Sequence, residues 1–327
     1  MRNLARPPAR LFDPGGPRFG SYKGGLPELD LGPTGRGGLW NYTHKKRWTW
    51  GAVADEHVIA AGAIVHLGYA STALAYALDR RTGRLLFDRS VMAPPNAARF
   101  DDGGSGKRSA TFRTRGVGMS IGDHSVTLDF ADGAHPFHVG ARARSGSVSP
   151  PAIGAVVPID GGYANATEKR LVDSDGEVVA QGMRFVLKDP LVALDHSAGF
   201  LARQTTWRWA LGLGRTSSGA RVGFNVVQGF VGEPECAAWV GDTLVPLGEG
   251  RFTHGDPRSP WRVETTCGAL EVLFHPAAVH REDNDLGLVR SRFVQPVGTF
   301  EGTLKVGGET VSLSRIPGVT EHQDVLW

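Results

Sequence analysis

Cysteine is almost absent: Cys236 and Cys267 are the only two in 327 residues. Two thiols exclude a disulfide framework and any cysteine-rich zinc site. One bridge or two free thiols are left, and free thiols in a reducing cytosol are the expectation. No apolar run is long enough for a transmembrane helix. The segment Met1-Arg-Asn-Leu-Ala-Arg-Pro-Pro lacks the apolar stretch of a secretory signal. A cytoplasmic location without stable membrane insertion is therefore expected. Charge of one sign is lacking too, with 36 basic against 33 acidic side chains and a net charge of +3. The one dense basic run, Lys45-Lys46-Arg47, adjoins Trp48 and Trp50. A nucleic-acid binder gathers its cations on one face, so no nucleic-acid partner is expected. A sustained 3.6-residue hydrophobic period is also missing, which leaves room for a short helix or two at most.

Glycine is abundant, at 45 residues, with 20 prolines spread along the chain. Both residues weaken helices and supply turns. Between them lie short, β-branched, often alternating runs, which read as strands in hairpins. Residues 1–38 show no period and read as an N-terminal arm with one short strand; the strand signal begins at Trp40. Val58–Leu67 and Ala73–Leu78, then Asp79–Gly83 as a turn and Leu85-Leu86-Phe87, follow hairpin grammar. Thr111–Arg115 and Ser125–Phe130 alternate as half-buried strands do. Ser145–Ile159, small and Pro-rich, reads as a linker or crossover. Trp261–Thr265 with Ala269–Phe274, and Gly298–Val306 with Glu309–Leu313 across Gly307-Gly308, are further hairpins.

The second half repeats the first in order. Trp48-Thr-Trp50 corresponds to Trp207-Arg-Trp209, and Val65–Tyr69 to Val226–Phe230. Tyr76 before its turn corresponds to Trp239 before Gly241-Asp242, and Phe112–Gly116 to Trp261–Thr265. At 327 residues two cores are the prior. The expected fold is all-β: two antiparallel barrels or sandwiches related by internal duplication. The expected division is an arm over 1–38, a first β domain over 39–190 and a second over 191–327.

The usual catalytic signatures are missing: no GxSxG elbow, HExxH, phosphate-binding Walker loop or dinucleotide fingerprint. Asp101–Gly106 is glycine-rich without the Walker spacing and reads as a loop. Three polar clusters are left. Asp195-His196-Ser-Ala-Gly199 precedes the Trp207/Trp209 pair, and a carboxylate beside histidine can orient an imidazole or share its proton. Adjacent strand residues point to opposite faces, so the two need a turn to meet. Glu321-His322-Gln323-Asp324 has the same order near the end of the second copy. His280–Asp285 is acidic, but its spacing does not fit an EF-hand and it reads as a polar loop. No metal site and no cofactor are expected. Paired tryptophans at i, i+2 share one strand face. Trp48, Trp50, Trp207 and Trp209 are candidate walls of an apolar pocket, the barrel's core face doubling as the pocket wall. Asn225, Gln228 and Gln295, polar residues in apolar strands, and His322 are candidate polar contacts.

Several of these elements resemble a known family. The WxW element, Gly223-Phe-Asn225-x-x-Gln228-Gly, Pro260-Trp261-Arg262 and Ser291-Arg-Phe-Val-Gln295-Pro-Val-Gly298-Thr-Phe-Glu-Gly302 are similar to the bacterial domain of unknown function 2804, from about Lys45 to Trp327. More distantly, Asp195-His196-x-x-Gly199 followed by Trp207-x-Trp209 resembles the D-H-N-x-G and W-x-W elements of the carotenoid hydratases. Ser197 stands where those enzymes have asparagine. The resemblance implies two lipocalin-like (calycin-type) barrels and an apolar ligand. Three functions follow as expectations: a barrel that binds a lipid, isoprenoid or polyketide-like molecule; a cofactor-free hydratase, isomerase or cyclase with Asp195 as acid and His196 as its partner; or a structural β scaffold.

Overall fold

The computed structural model describes every residue except Met1, 32–36, 132, 162, 286 and 288. The chain divides into two compact units: Arg6–Ala202, and Arg203–Trp327 together with the N-terminal residues up to Ala5. Each is a curled antiparallel sheet, so the all-β fold of two similar sheets is the one found.

In the first unit the strand path runs Arg84–Ala93, Ser71–Asp79, Val58–His66, Lys45–Ala54, Leu191–Phe200, Tyr163–Ala180, Phe137–Ala143, Ser125–Phe130, Val117–Gly122, Ser109–Thr114 and Ala98–Asp101. The second unit follows the same plan: Thr243–Pro246, Ala237–Val240, Arg221–Gln228, Gln204–Arg215, Glu309–Leu326, Arg290–Val306, Leu270–Asp285, Trp261–Thr265 and Gly250–Thr253. In both, the WxW strand lies between the strand that follows it and the last long strand of its unit. Trp48 and Trp207 therefore occupy equivalent strands. Tyr76 and Trp239 also match, each on the third strand. Phe112 and Trp261 do not match. Trp261 lies three places from the closing Glu309–Leu326 strand, whereas the strand in that place in the first unit is Ser125–Phe130. Phe112 lies two strands further out, on an edge the second unit lacks. Alternating aromatic strands look alike in sequence whichever place they hold.

The curl brings the two wings of the first sheet together. Val53, Ile64, Ala75, Phe112, Leu128, Phe130 and Phe137 fill the interior, with the Phe87 and Phe137 rings stacked at 3.9 Å. Gly51 and Gly62 point into this interior, where a Cβ would come within about 3 Å of Ile121 and Leu128. The crossing needs residues without side chains at those points. In the second unit Phe224, Phe274 and Phe300 pack with centroids 4.9 and 4.6 Å apart. The Val306-to-Glu309 turn has left-handed backbone at both Gly307 and Gly308, the conformation a two-residue hairpin turn demands.

Several expectations need correction. The strand Leu191–Phe200 pairs with Lys45–Ala54 and Tyr163–Ala180, so the first unit ends at Ala202 and not at 190. Pro190 and the apolar run after it read as a domain start, but the run is the closing strand of the sheet. The arm expected over 1–38, of which Met1 and 32–36 lie outside the described residues, is not a free arm. Gly20–Lys23 pairs with Ile153–Ile159, and Leu11, Leu26, Leu29 and Leu31 are buried against Val156, Ala164 and Ala198. Residues Gly38–His44 form a helix instead of a strand start. Ile153–Ile159 is a strand inside the segment read as a linker. His280–Asp285 is not a loop but the end of a strand, paired with Arg290–Gln295. Both cysteines are free thiols. The basic run is split by strand alternation: Lys45 and Arg47 bind Asp30 at 2.7 and 2.6 Å, while Lys46 is buried.

Candidate functional site

Antiparallel register places nine residues in three cross-strand rows on one face of the first sheet. Asn165, Gly199 and Lys46 form one row. Thr167, Ser197 and Trp48 form the next, and Lys169, Asp195 and Trp50 the third. Cross-strand neighbours in such rows lie about 5 Å apart. The face is opposite to the one that carries Gly51 and Val53, so it is not the filled interior of the curl. The expectation that the barrel's core face would also be the pocket wall is corrected on this point. The face is buried all the same: Asn165, Lys46 and Thr167 are 0 % exposed, Lys169 3 % and Asp195 6 %.

Asp195 anchors the patch. Its Oδ1 lies 2.5 Å from Lys169 Nζ and accepts from Ser197 Oγ at 3.0 Å. The Ser197 oxygen in turn lies 2.7 Å from Thr167 Oγ1. The Trp48 indole N–H points at Oδ2 from 3.4 Å. Burying a charge is costly unless it is paired and hydrogen-bonded, and this carboxylate is both. Lys46 donates to the carbonyls of Thr43 and Leu67 at 2.8 and 2.6 Å and sits 4.7 Å above the Tyr69 ring. Burial pulls its ammonium down to about 7.

Asn165 differs from Asp195 and Lys46. It is fully buried, and among the described residues no protein group hydrogen-bonds its side-chain oxygen or nitrogen. It lies across Gly199, where a Cβ would meet its Oδ1 at 2.6 Å. Each buried polar group left without a partner costs about 1–3 kcal/mol.

His196 takes no part in this face. Strand alternation turns it to the other side, away from its neighbour Asp195. There its Nδ1 lies 3.1 Å from Thr49 Oγ1 and its Nε2 3.2 Å from Asp123 Oδ1. Burial pushes the Asp123 carboxyl up, but the His196 contact and the Arg170 charge outweigh it and hold it below the usual carboxylate range. Glu168 completes the network. It accepts from the Leu26 N–H at 2.6 Å, from Arg108 at 2.7 Å and from Arg170 at 2.5 Å. This cluster fastens the N-terminal segment to the sheet.

The second unit repeats the acid–tryptophan pairing. Glu321 lies opposite Trp209 as Asp195 lies opposite Trp50. The Trp207 indole donates to Glu321 Oε1 at 2.7 Å and the Gln295 amide to Oε2 at 2.5 Å. The Trp209 indole donates to Asn225 Oδ1 at 2.6 Å, and Asn225 donates to the Glu235 carbonyl at 3.0 Å. Gln295 thus stands by Glu321 much as Lys169 stands by Asp195. Asn225 and Gln295, expected as polar contacts of a ligand, bond within this cluster of the second unit. Gln228 accepts from Arg208 at 3.4 Å. His322 turns to the Arg208 side, its ring 5.8 Å from that of His254. Burial first, then the charges of Arg208 and His254, lower the His322 imidazole below its usual value.

Lys169, Asn165 and Lys46 were not among the expected site residues. A signal for two of them exists: Asn165, Thr167 and Lys169 are polar at every second position between alanines and Glu168. That alternation is informative only once 163–180 is known to be a strand. Among the described residues no group of three or more His, Cys, Asp or Glu side chains converges as a metal site would require.

A family model, the domain of unknown function 2804, matches residues 11–327. The chain belongs to this family. No curated protein matches it in sequence. Among solved structures, CghA crystallised with Sch210972 is similar in fold. The TM-score is 0.54 at 10 % identity, over 98 % of this chain and 97 % of that one. A second crystal structure of CghA gives the same score over 87 % and 88 %. Kievitone hydratase from Nectria haematococca gives 0.45 at 11 % identity, over 94 % and 98 %. No helix among the described residues is long and apolar enough to cross a membrane.

Proposed function

We propose that this protein binds a small, largely apolar organic molecule carrying one polar group, at the face that bears Trp48, Trp50 and Asp195. The observation that carries the reading is the buried polar patch itself. A paired charge, two hydroxyls, a lysine and an unsatisfied amide stand beside two tryptophans on a face buried without being the sheet's own core. Ligand sites combine apolar walls with a few placed polar groups in this way. That a protein of the same fold has been crystallised with a bound compound supports a small-molecule partner. The ligand classes in view are a lipid, an isoprenoid or a polyketide-like molecule. The reading includes a cytoplasmic location and involves neither nucleic acid nor membrane insertion, and it draws on no cofactor.

The Lys169–Asp195 pair favours a second reading, a hydratase, isomerase or cyclase that moves one proton. A carboxylate held against an ammonium can accept a proton from the substrate while the ammonium gives one up, so the pair moves a proton with no net change of charge. Asp195 is then the base of the reaction and Lys169 its acid partner, in place of the Asp195–His196 pairing. The tryptophans would stabilise cationic character in the substrate.

Native mass spectrometry of gently purified protein tests the binding reading, with an organic compound released on denaturation as the expected result. A preparation that carries no compound, and shows no thermal shift with farnesol or a C16 fatty acid, would leave the structural-scaffold reading in its place. For a substrate found this way, Asp195→Asn should abolish turnover and leave affinity within a few-fold; full turnover in that variant removes Asp195 from the chemistry.

A further inference from the structure

We infer that Asn165 is a ligand-recognition residue, and that it selects a neutral carboxamide-type group on the ligand. The inference rests on the binding reading above and adds the chemical class of the polar group.

Three observations combine. Asn165 is fully buried, with neither amide atom bonded to a protein group among the described residues. Native interiors rarely leave such a group unpaired unless it serves a purpose. The residue also has room made for it by its cross-strand neighbour. Its register partner is Gly199, and its carboxamide fills the space a side chain there would take. Finally, Asn165 sits in the row next to Thr167 and Ser197, which lead to Asp195. The unsatisfied amide is thus continuous with the polar patch and not an isolated defect of the core.

The chemistry of the partner follows from the amide. Asn presents one acceptor and one donor group side by side and carries no charge. A ligand group that satisfies both with two parallel hydrogen bonds offers a donor and an acceptor side by side on one carbon. A carboxamide does so. An ester or ketone offers an acceptor alone and would leave the asparagine oxygen unpaired, and a hydrocarbon satisfies neither. The match holds whichever way the Asn165 amide is turned.

Matched bicyclic probes test this: 2-naphthamide, methyl 2-naphthoate and 2-ethylnaphthalene, titrated by calorimetry into the full chain. The wild-type protein should bind the amide at least about tenfold more tightly than the ester, the value of one extra satisfied hydrogen bond. Asn165→Leu, of similar volume, should bring that ratio to about one while still binding the hydrocarbon, because the donor–acceptor pair alone has gone. The same variant without ligand should melt higher than wild type, since an unsatisfied group has been replaced by an apolar one. Asn165→Asp, close in shape, gives a second reading of the ratio if the leucine variant is poorly packed. A wild type that binds all three probes equally overturns the assignment of Asn165 alone. Binding of none overturns the ligand-site reading together with it. An Asn165→Leu variant that melts lower and keeps the preference shows a structural residue and likewise refutes the inference.

Discussion

Removing the Lys169 ammonium should destabilise the first unit far more than removing both members of its ion pair. At 2.5 Å between Lys169 Nζ and Asp195 Oδ1, an effective dielectric of about 20 gives a gross attraction of roughly 7 kcal/mol. Desolvation takes back several kcal/mol for each ion, so the intact pair contributes little net stability. Lys169→Met keeps most of the length of the side chain but leaves a carboxylate at 6 % exposure with, among the described residues, only Ser197 and the distant Trp48 indole as donors. Such a break costs about 3–5 kcal/mol. For a unit the size of Arg6–Ala202, each kcal/mol shifts the melting temperature by about 2–4 °C. A fall of roughly 6–20 °C is therefore expected. The double variant Lys169→Met/Asp195→Leu should recover most of that loss, because no charge is left buried. Differential scanning calorimetry at pH 7 on wild type, both single variants and the double variant measures the coupling. A Lys169→Met protein that melts within about 2 °C of wild type, or a double variant no better than that single one, would refute the reasoning. The two side chains would then not act as an ion pair in solution.

Two further outcomes follow from other buried groups. Glu168 joins Arg108, Arg170 and the Leu26 N–H, so Glu168→Gln should cost about 3–5 kcal/mol and loosen the N-terminal segment first. Limited proteolysis should then cut within residues 6–31 at least about tenfold faster than in wild type, and unchanged cutting there would show that the cluster does not fasten the segment. Lys46 is lowered from an ordinary value of 10.5 to about 7 by burial. Between those values the unfolded chain holds more protons than the folded one, so this residue makes stability rise with pH from about 7 towards about 10. Lys46→Met should be more stable than wild type at pH 7, and the gap should close as the pH approaches 10; urea titrations at pH 7, 8.5 and 10 that give a constant gap would contradict the shift.

Much of the fold could be read from local chemistry. Asp79–Gly83, Gly241-Asp242 and Gly307-Gly308 are turn sequences between runs too short and too β-branched for helix, and all three fall at turns between paired strands. The repeated WxW element marked the strand that holds the same place in both sheets. Reading failed where one local pattern serves two structures. Leu191–Phe200 looks like the start of a domain or the end of one, since either is an apolar strand. Gly38–His44, seven residues long, is too short to show a helical period. Phe112 and Trp261 sit on strands alike in pattern but different in place.

The candidate site divides the same way. Asp195, Trp48 and Trp50 stood out because a charge and paired indoles are conspicuous within apolar strands. By itself the sequence determined that this chain forms many short antiparallel strands in two related sheets, because alternation, turn glycines and the repeat act over a few residues. It left open whether Asp195 and His196 meet at a turn or part to opposite faces of a strand. Only the tertiary structure decided who meets them there. Lys169 and Asn165 reach the Asp195 face, and Thr49 reaches His196, through a strand register between segments up to about 150 residues apart, while Asp123 reaches His196 from the turn after Val117–Gly122. Such pairings are selected by the packing of the whole sheet, and no local pattern encodes them.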